Sequence, residues 1–195
     1  MTKVDAPSFP VKAIIVNHGD HAYAKVRYDP KTLLFFEDNL NKITDYLERG
    51  LVWRHLWNLV MDAKMSSLQF LNFVIKQLPH ETVEQTLTTA LGDLASLLGN
   101  YIPIEKVSEC SDQMFETLLT MLPKVSEHVQ HPLVDSIFSF VSSKKNVEMV
   151  MKWCQDGKVE GYTLNKSHKN SILKVVFRSK DVSLEAKNAL LTSVQ

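Results

Sequence analysis

From Pro30 onward, apolar residues return every three to four positions in one segment after another, with short breaks between the segments. That period commits a segment to an amphipathic helix. A chain built this way folds by packing helices on helices.

The boundaries of the segments are marked. Asp29 suits an N-cap and Pro30 a first helical position, after which Leu33, Phe36, Leu40 and Ile43 share a face. The stretch "DYLERGLVWRHLWNLVMDAK" runs from Asp45 to Lys64. Its second half is apolar almost all round, the mark of a helix buried among others. Ser66 and Gln69 have capping-box spacing ahead of "SSLQFLNFVIKQL", which Pro79 stops, and Thr82 with Gln85 offers a second box. Val83, Leu87, Ala90, Leu91, Leu94, Leu97 and Leu98 then form a stripe that Gly99 closes as a C′ residue. Further helices are expected over Ile104–Leu122, Pro132–Val141, Val147–Gln155, Lys166–Phe177 and Ser183–Val194, with Gly157 and Gly161 marking a loop.

Residues 1–29 read differently. "VKAIIVN" is β-branched, "HAYAKVRYD" alternates with a period of two, and "HGD" between them reads as a turn. These residues are expected to form a β-hairpin, which needs a further surface to lie on because two strands alone are marginal in water. The expected fold is therefore mainly α. About nine antiparallel helices (residues 30–195) form an α-solenoid-like array, preceded by a short β-hairpin (residues 1–29). Stacked helical pairs fit better than a four-helix bundle, and no clean fixed-period repeat is present.

Charge excludes some functions. Lys+Arg and Asp+Glu each number 22, so no basic excess points to nucleic acid or an anionic membrane. No apolar run approaches the roughly 20 residues of a membrane helix. Met1 to Pro10 lacks the apolar core of a signal peptide, so the compartment stays open, with the cytoplasm as default. Cys110 and Cys154 lack C-x-x-C spacing and read as reduced, part-buried thiols.

The candidate chemistry is sparse. "HETVE" (residues 80–84) falls one letter short of the H-E-x-x-H zinc pattern. His80 directly follows Pro79, however, and Glu81 and Glu84 suit the positive end of a helix dipole, so this reads as a helix start. His18 with His21, and His128 with His131 in a loop before Pro132, lack obvious further ligands; His55, between Trp53 and Trp57, reads as a core histidine. No nucleophile elbow or phosphate-binding glycine loop occurs. Arg49 and Arg54 stand on the most apolar helix, where a buried guanidinium needs a carboxylate; Asp45, Glu48 and Asp62 are within reach along the chain. Two readings stay open for them: structural pairing, or lining a cavity where they meet a peptide carboxylate or acidic side chain.

The stretch from Asn17 to Glu81, with Asn17, Tyr23, Val26, Tyr28 and Asp29 in an "N…Y.kV.YD" pattern, resembles the C-terminal part of zinc aminopeptidases of the aminopeptidase N type. That group includes the puromycin-sensitive and endoplasmic-reticulum aminopeptidases. Arg49 and Trp53 match its arginine-led helix, and Leu78 and Glu81 match its "L..E" helix end; "WCQDG" fits its tail more loosely. The resemblance implies a hairpin left from a β-sandwich domain, then a helical C-terminal domain enclosing the chamber where peptides bind. It also implies that the zinc motif and the G-x-M-E-N loop belong to a preceding catalytic domain. No catalytic residue, metal or cofactor is then expected in this chain, and no aminopeptidase activity from it alone. Its partner would be peptide substrate, through the full enzyme. A stand-alone helical interaction scaffold is the alternative.

Overall fold

The computed structural model describes residues 10–194, which fall into two compact units, one ending at Glu81 and the other starting at Thr82. Among the described residues the architecture is mainly α, with nine α-helices and one two-stranded antiparallel ladder.

The first unit holds α1 (Pro30–Asn39), α2 (Tyr46–Met61) and α3 (Ser67–Gln77). Each starts on the cap the sequence marks. Asp29 accepts from Lys31 and Thr32, Asp45 from Leu47 and Glu48, and Ser66 from Gln69. Such caps satisfy backbone donors the helix itself leaves orphaned. α3 packs against both α1 and α2. Phe36, Leu40, Val52, Leu56, Phe70, Leu71, Val74 and Leu78 form the core between them. Each such side chain removed from water contributes about 1.5–3 kcal/mol. Buried Gln77 ties the corner: its amide donates to the Glu37 carbonyl at 2.7 Å and accepts from the Asn41 N–H at 3.2 Å. α2 is buried nearly all round, as its composition demands. Leu51, Val52, Trp53, Leu56, Leu59 and Val60 are buried, and Arg54 and Met61 stand on the remaining exposed strip.

The expected hairpin at residues 11–29 is not a β-ladder: residues 10–29 carry no paired strand. The cause is Asn17. It takes left-handed φ (61°), and its side-chain amide both accepts from the Ala22 N–H and donates to the Ala22 carbonyl, each at 2.8 Å. One side chain thereby replaces the first ladder pair, around a 3-10 turn at His18–Asp20. The segment lies on helices instead: Val26 is buried and Tyr28 sets its ring edge-on to Phe36 at 5.0 Å.

The second unit holds α4 (Glu84–Asn100), α5 (Val107–Met121), α6 (Glu127–Ser139), α7 (Lys144–Asp156), α8 (Lys166–Arg178) and α9 (Leu184–Val194). α6 packs against α4, α5 and α8, while α7 and α8 both pack on α9. The ladder lies here, β1 (Lys158–Val159) against β2 (Tyr162–Thr163). Its two-residue turn has positive φ at Glu160 (44°) and Gly161 (84°), the conformation a tight hairpin requires. Gly157, with φ 69°, ends α7 in left-handed geometry.

Several boundaries differ from expectation: α5 is α-helical only from Val107, α7 starts at Lys144 rather than Val147, and α4 and α6 differ most. α4 starts at Glu84 with Val83 at the cap, so Thr82 and Gln85 do not form a box, and Gly99 lies inside the last turn rather than beyond it. α6 starts at Glu127, five residues before Pro132; proline at the sixth position costs one backbone bond, which the apolar face of Val129, Leu133, Val134, Ile137 and Phe138 outweighs. His128 and His131 are therefore helical, not in a loop.

Candidate functional site

α2 carries both arginines, and the structure sends them to different places. Arg49 points inward. Its Nη2 donates to Glu81 Oε1 at 3.1 Å and its Nε to Glu81 Oε2 at 3.3 Å, a side-on fork. Its Nη1 donates to the Ile43 carbonyl at 2.7 Å and the Thr44 carbonyl at 3.3 Å, and Trp53 Nε1 donates to Glu81 Oε2 at 3.3 Å. All three side chains are buried. The first glutamate of "HETVE", Glu81, is thus the carboxylate that neutralises a buried guanidinium, and His80 beside it is exposed in a 3-10 turn.

None of the three carboxylates expected to serve these arginines does so. Asp45 is spent capping α2, and Asp62 pairs with Lys25 at 2.6 Å. Glu48 takes the Gly19 N–H at 3.2 Å and lies against His18. Its second oxygen, Oε2, is buried without a hydrogen-bond partner.

Arg54 points outward. Its Nη2 donates to Asp20 Oδ2 at 2.8 Å, and its side chain is about half exposed. That contact holds the Asp20 carboxyl below its usual range. Asp20, Arg54, His55, Asn58 and residues 21–25 line an open cleft of about 640 Å³. Tyr23 at its edge is fully exposed. His55, a core residue as expected, forms the floor, with Nδ1 2.7 Å from the Tyr28 hydroxyl. Burial lowers the pKa of His55 and raises that of Tyr28, so near neutral pH the pair is an uncharged hydrogen bond. The guanidinium is the cleft's one group suited to fork onto a carboxylate, with more N–H donors than Asp20 uses.

The remaining candidates are scattered. His18 and His21 flank the exposed turn, and Cys110 and Cys154 are free, buried thiols whose pKa values burial raises. Sequence alone could not place Asp20 against Arg54, because nothing in 34 residues of spacing marks the contact.

A family model described as the ERAP1-like C-terminal domain matches residues 13–184. Aminopeptidase N of Streptomyces lividans is 30% identical over 69 residues, which cover 35% of this chain and 8% of that protein. The match thus spans a small fraction of that relative's length. The residues carrying the sequence resemblance do identifiable structural work. Asn17 closes the turn, Tyr28 bonds His55, Asp29 caps α1, and Arg49, Trp53 and Glu81 form the buried knot.

Proposed function

The chain belongs to the ERAP1-like C-terminal domain family, and from that premise we propose that it is the non-catalytic helical domain of a zinc aminopeptidase. In this reading it helps to enclose the chamber where peptides lie. The family match over residues 13–184 is the observation that carries it. Metal-assisted removal of N-terminal residues, with zinc polarising the scissile carbonyl and activating water, falls to other parts of the enzyme.

Within this reading Arg54 is the peptide-contacting residue and Arg49 is structural. Arg49 has its donors committed to Glu81 and two backbone carbonyls, out of reach of any ligand. Arg54 stands at an open cleft, and Asp20 is an exchangeable partner. A peptide carboxylate takes the place of Asp20 on the guanidinium, one exposed ion pair for another, so the gain is small and binding is weak.

Two measurements on the purified chain test this. An aminoacyl-arylamide substrate should not be turned over, and robust hydrolysis would defeat the non-catalytic assignment. In NMR titrations, a short peptide with a free C-terminus should shift the Arg54 side-chain and Ala22–Lys25 amide signals. Amidation of its C-terminus, or Arg54→Ala, should weaken that binding about two- to fivefold, the scale of one exposed ion pair. Binding indifferent to both changes would remove Arg54 from the role; a protein partner would then become the better occupant of the cleft.

A further inference from the structure

We propose that the second unit carries a zinc-type divalent metal site made by His131, Asp135 and His168, a staple between α6 and α8. His131 and Asp135 are four residues apart on one face of α6, and His168 reaches them from the first turn of α8. His168 Nε2 lies 2.7 Å from His131 Nδ1 and 3.7 Å from Asp135 Oδ1, and His131 Nδ1 lies 3.7 Å from Asp135 Oδ2. Metal bonds of about 2.0–2.2 Å in a tetrahedron set neighbouring ligand atoms about 3.3 Å apart, in the middle of these separations.

The chemistry fits one class of ion. Two imidazoles and one carboxylate suit zinc and its borderline neighbours rather than calcium or magnesium, which take oxygen. His168 is fully buried and fixed in place, with Phe138 and Tyr162 rings beside it. His131 and Asp135 are about half exposed, so the fourth position opens to water. The sequence alone shows no further ligand for His131, because Asp135 joins it only on a helix and His168 lies 37 residues away. The helical i, i+4 spacing that Pro132 disguised is what brings His131 and Asp135 together.

The capping box at the start of α8 fixes which nitrogen of His168 carries the proton. The Asn165 N–H donates to His168 Nδ1 at 3.2 Å, one arm of the capping box, while the His168 N–H donates to Asn165 Oδ1 at 2.9 Å, the other arm. Nδ1 is thus an acceptor, so the neutral ring carries its proton on Nε2 and donates it to His131 Nδ1. Metal on Nε2 requires that lone pair. The ring proton moves to Nδ1, the His168–His131 hydrogen bond gives way to two metal bonds, and the Asn165 N–H loses its acceptor. The second arm of the box survives.

The test uses the whole chain after chelator treatment, with Zn²⁺ in competition with a chromophoric chelator. One equivalent should bind saturably. Asp135→Asn and His131→Ala, both at exposed positions and each first shown to keep the helical circular dichroism of the parent chain, should each weaken binding by at least about tenfold. His128→Ala should leave it unchanged. In ¹⁵N spectra of the histidine rings, zinc should switch His168 from the Nε2–H to the Nδ1–H tautomer, and the Asn165 amide should exchange faster. Absence of saturable binding overturns the site. So does affinity retained in both variants, or a His168 ring that keeps its tautomer at saturation.

Discussion

The Arg49–Glu81–Trp53 knot shows how much one carboxylate holds. Arg49 also binds the Ile43 and Thr44 carbonyls, so a single guanidinium joins the entry of α2 to the chain leaving α3. Breaking a buried pair from one side strands the other charge, at a cost of about 3–5 kcal/mol, against total stabilities of about 5–15 kcal/mol. Glu81→Gln keeps an acceptor for Trp53 but leaves the guanidinium uncompensated. It should lower unfolding free energy by about 3 kcal/mol, measured by urea denaturation with tryptophan fluorescence. The double change Arg49→Met with Glu81→Gln removes the stranded charge, keeps the acceptor for Trp53 and should recover much of that loss; if it is as unstable as the single variant, the pair contributes more than mutual charge compensation. The need for a partner was legible in the sequence, since an arginine on an apolar helix must be neutralised. Its identity was not: Glu81 lies 32 residues away, while three nearer carboxylates looked equally suitable. His131 stood out in the sequence, but its contact with His168, 37 residues away, was hidden for the same reason.

At the scale of elements, the apolar period and the caps at Asp29, Asp45 and Ser66 made the helices readable, because both signals are local. The hairpin failed because alternation reports which faces differ, not what the backbone pairs with, and the Asn17 amide took the pairing. Polar residues at the margin of a stripe leave a similar trace. Asp93 stands on α4 beside Ala90, Leu94 and Leu97, and burial there raises its carboxyl from 3.8 to about 6. A carboxyl with a raised folded pKa stabilises the fold while protonated; that contribution is complete below about 3.8 and lost as pH rises through about 6. At pH 7 the charge is a burden. Asp93→Asn should therefore stabilise the chain at pH 7 by about 1–2 kcal/mol, a shift of two units discounted for partial exposure. The advantage should vanish near pH 4, where both side chains are neutral. Paired thermal melts at the two pH values check it, and an equal gain at both would trace the effect to something other than the charge.

The whole molecule is two units, each with its own core. Phe36, Leu56, Phe70 and Leu78 belong to the first; Leu94, Met114, Phe115, Leu118 and Ile137 belong to the second. A unit with a core of its own opens as a cooperative body. Two perturbations should therefore land separately in hydrogen exchange. Glu81→Gln removes a tie that lies wholly within the first unit. It should speed exchange along α2 and α3 while leaving α7 and α8 at their original rates. Zinc, if held by His131, Asp135 and His168, joins α6 to α8 within the second. It should slow exchange in the interiors of those helices while sparing α1 to α3, with the Asn165 amide alone moving the other way. Should either change spread evenly across the helices of both units, the chain opens as one cooperative body. Independent responses would instead mean that the Arg54 cleft, which lies within the first unit, can rearrange without loosening the second.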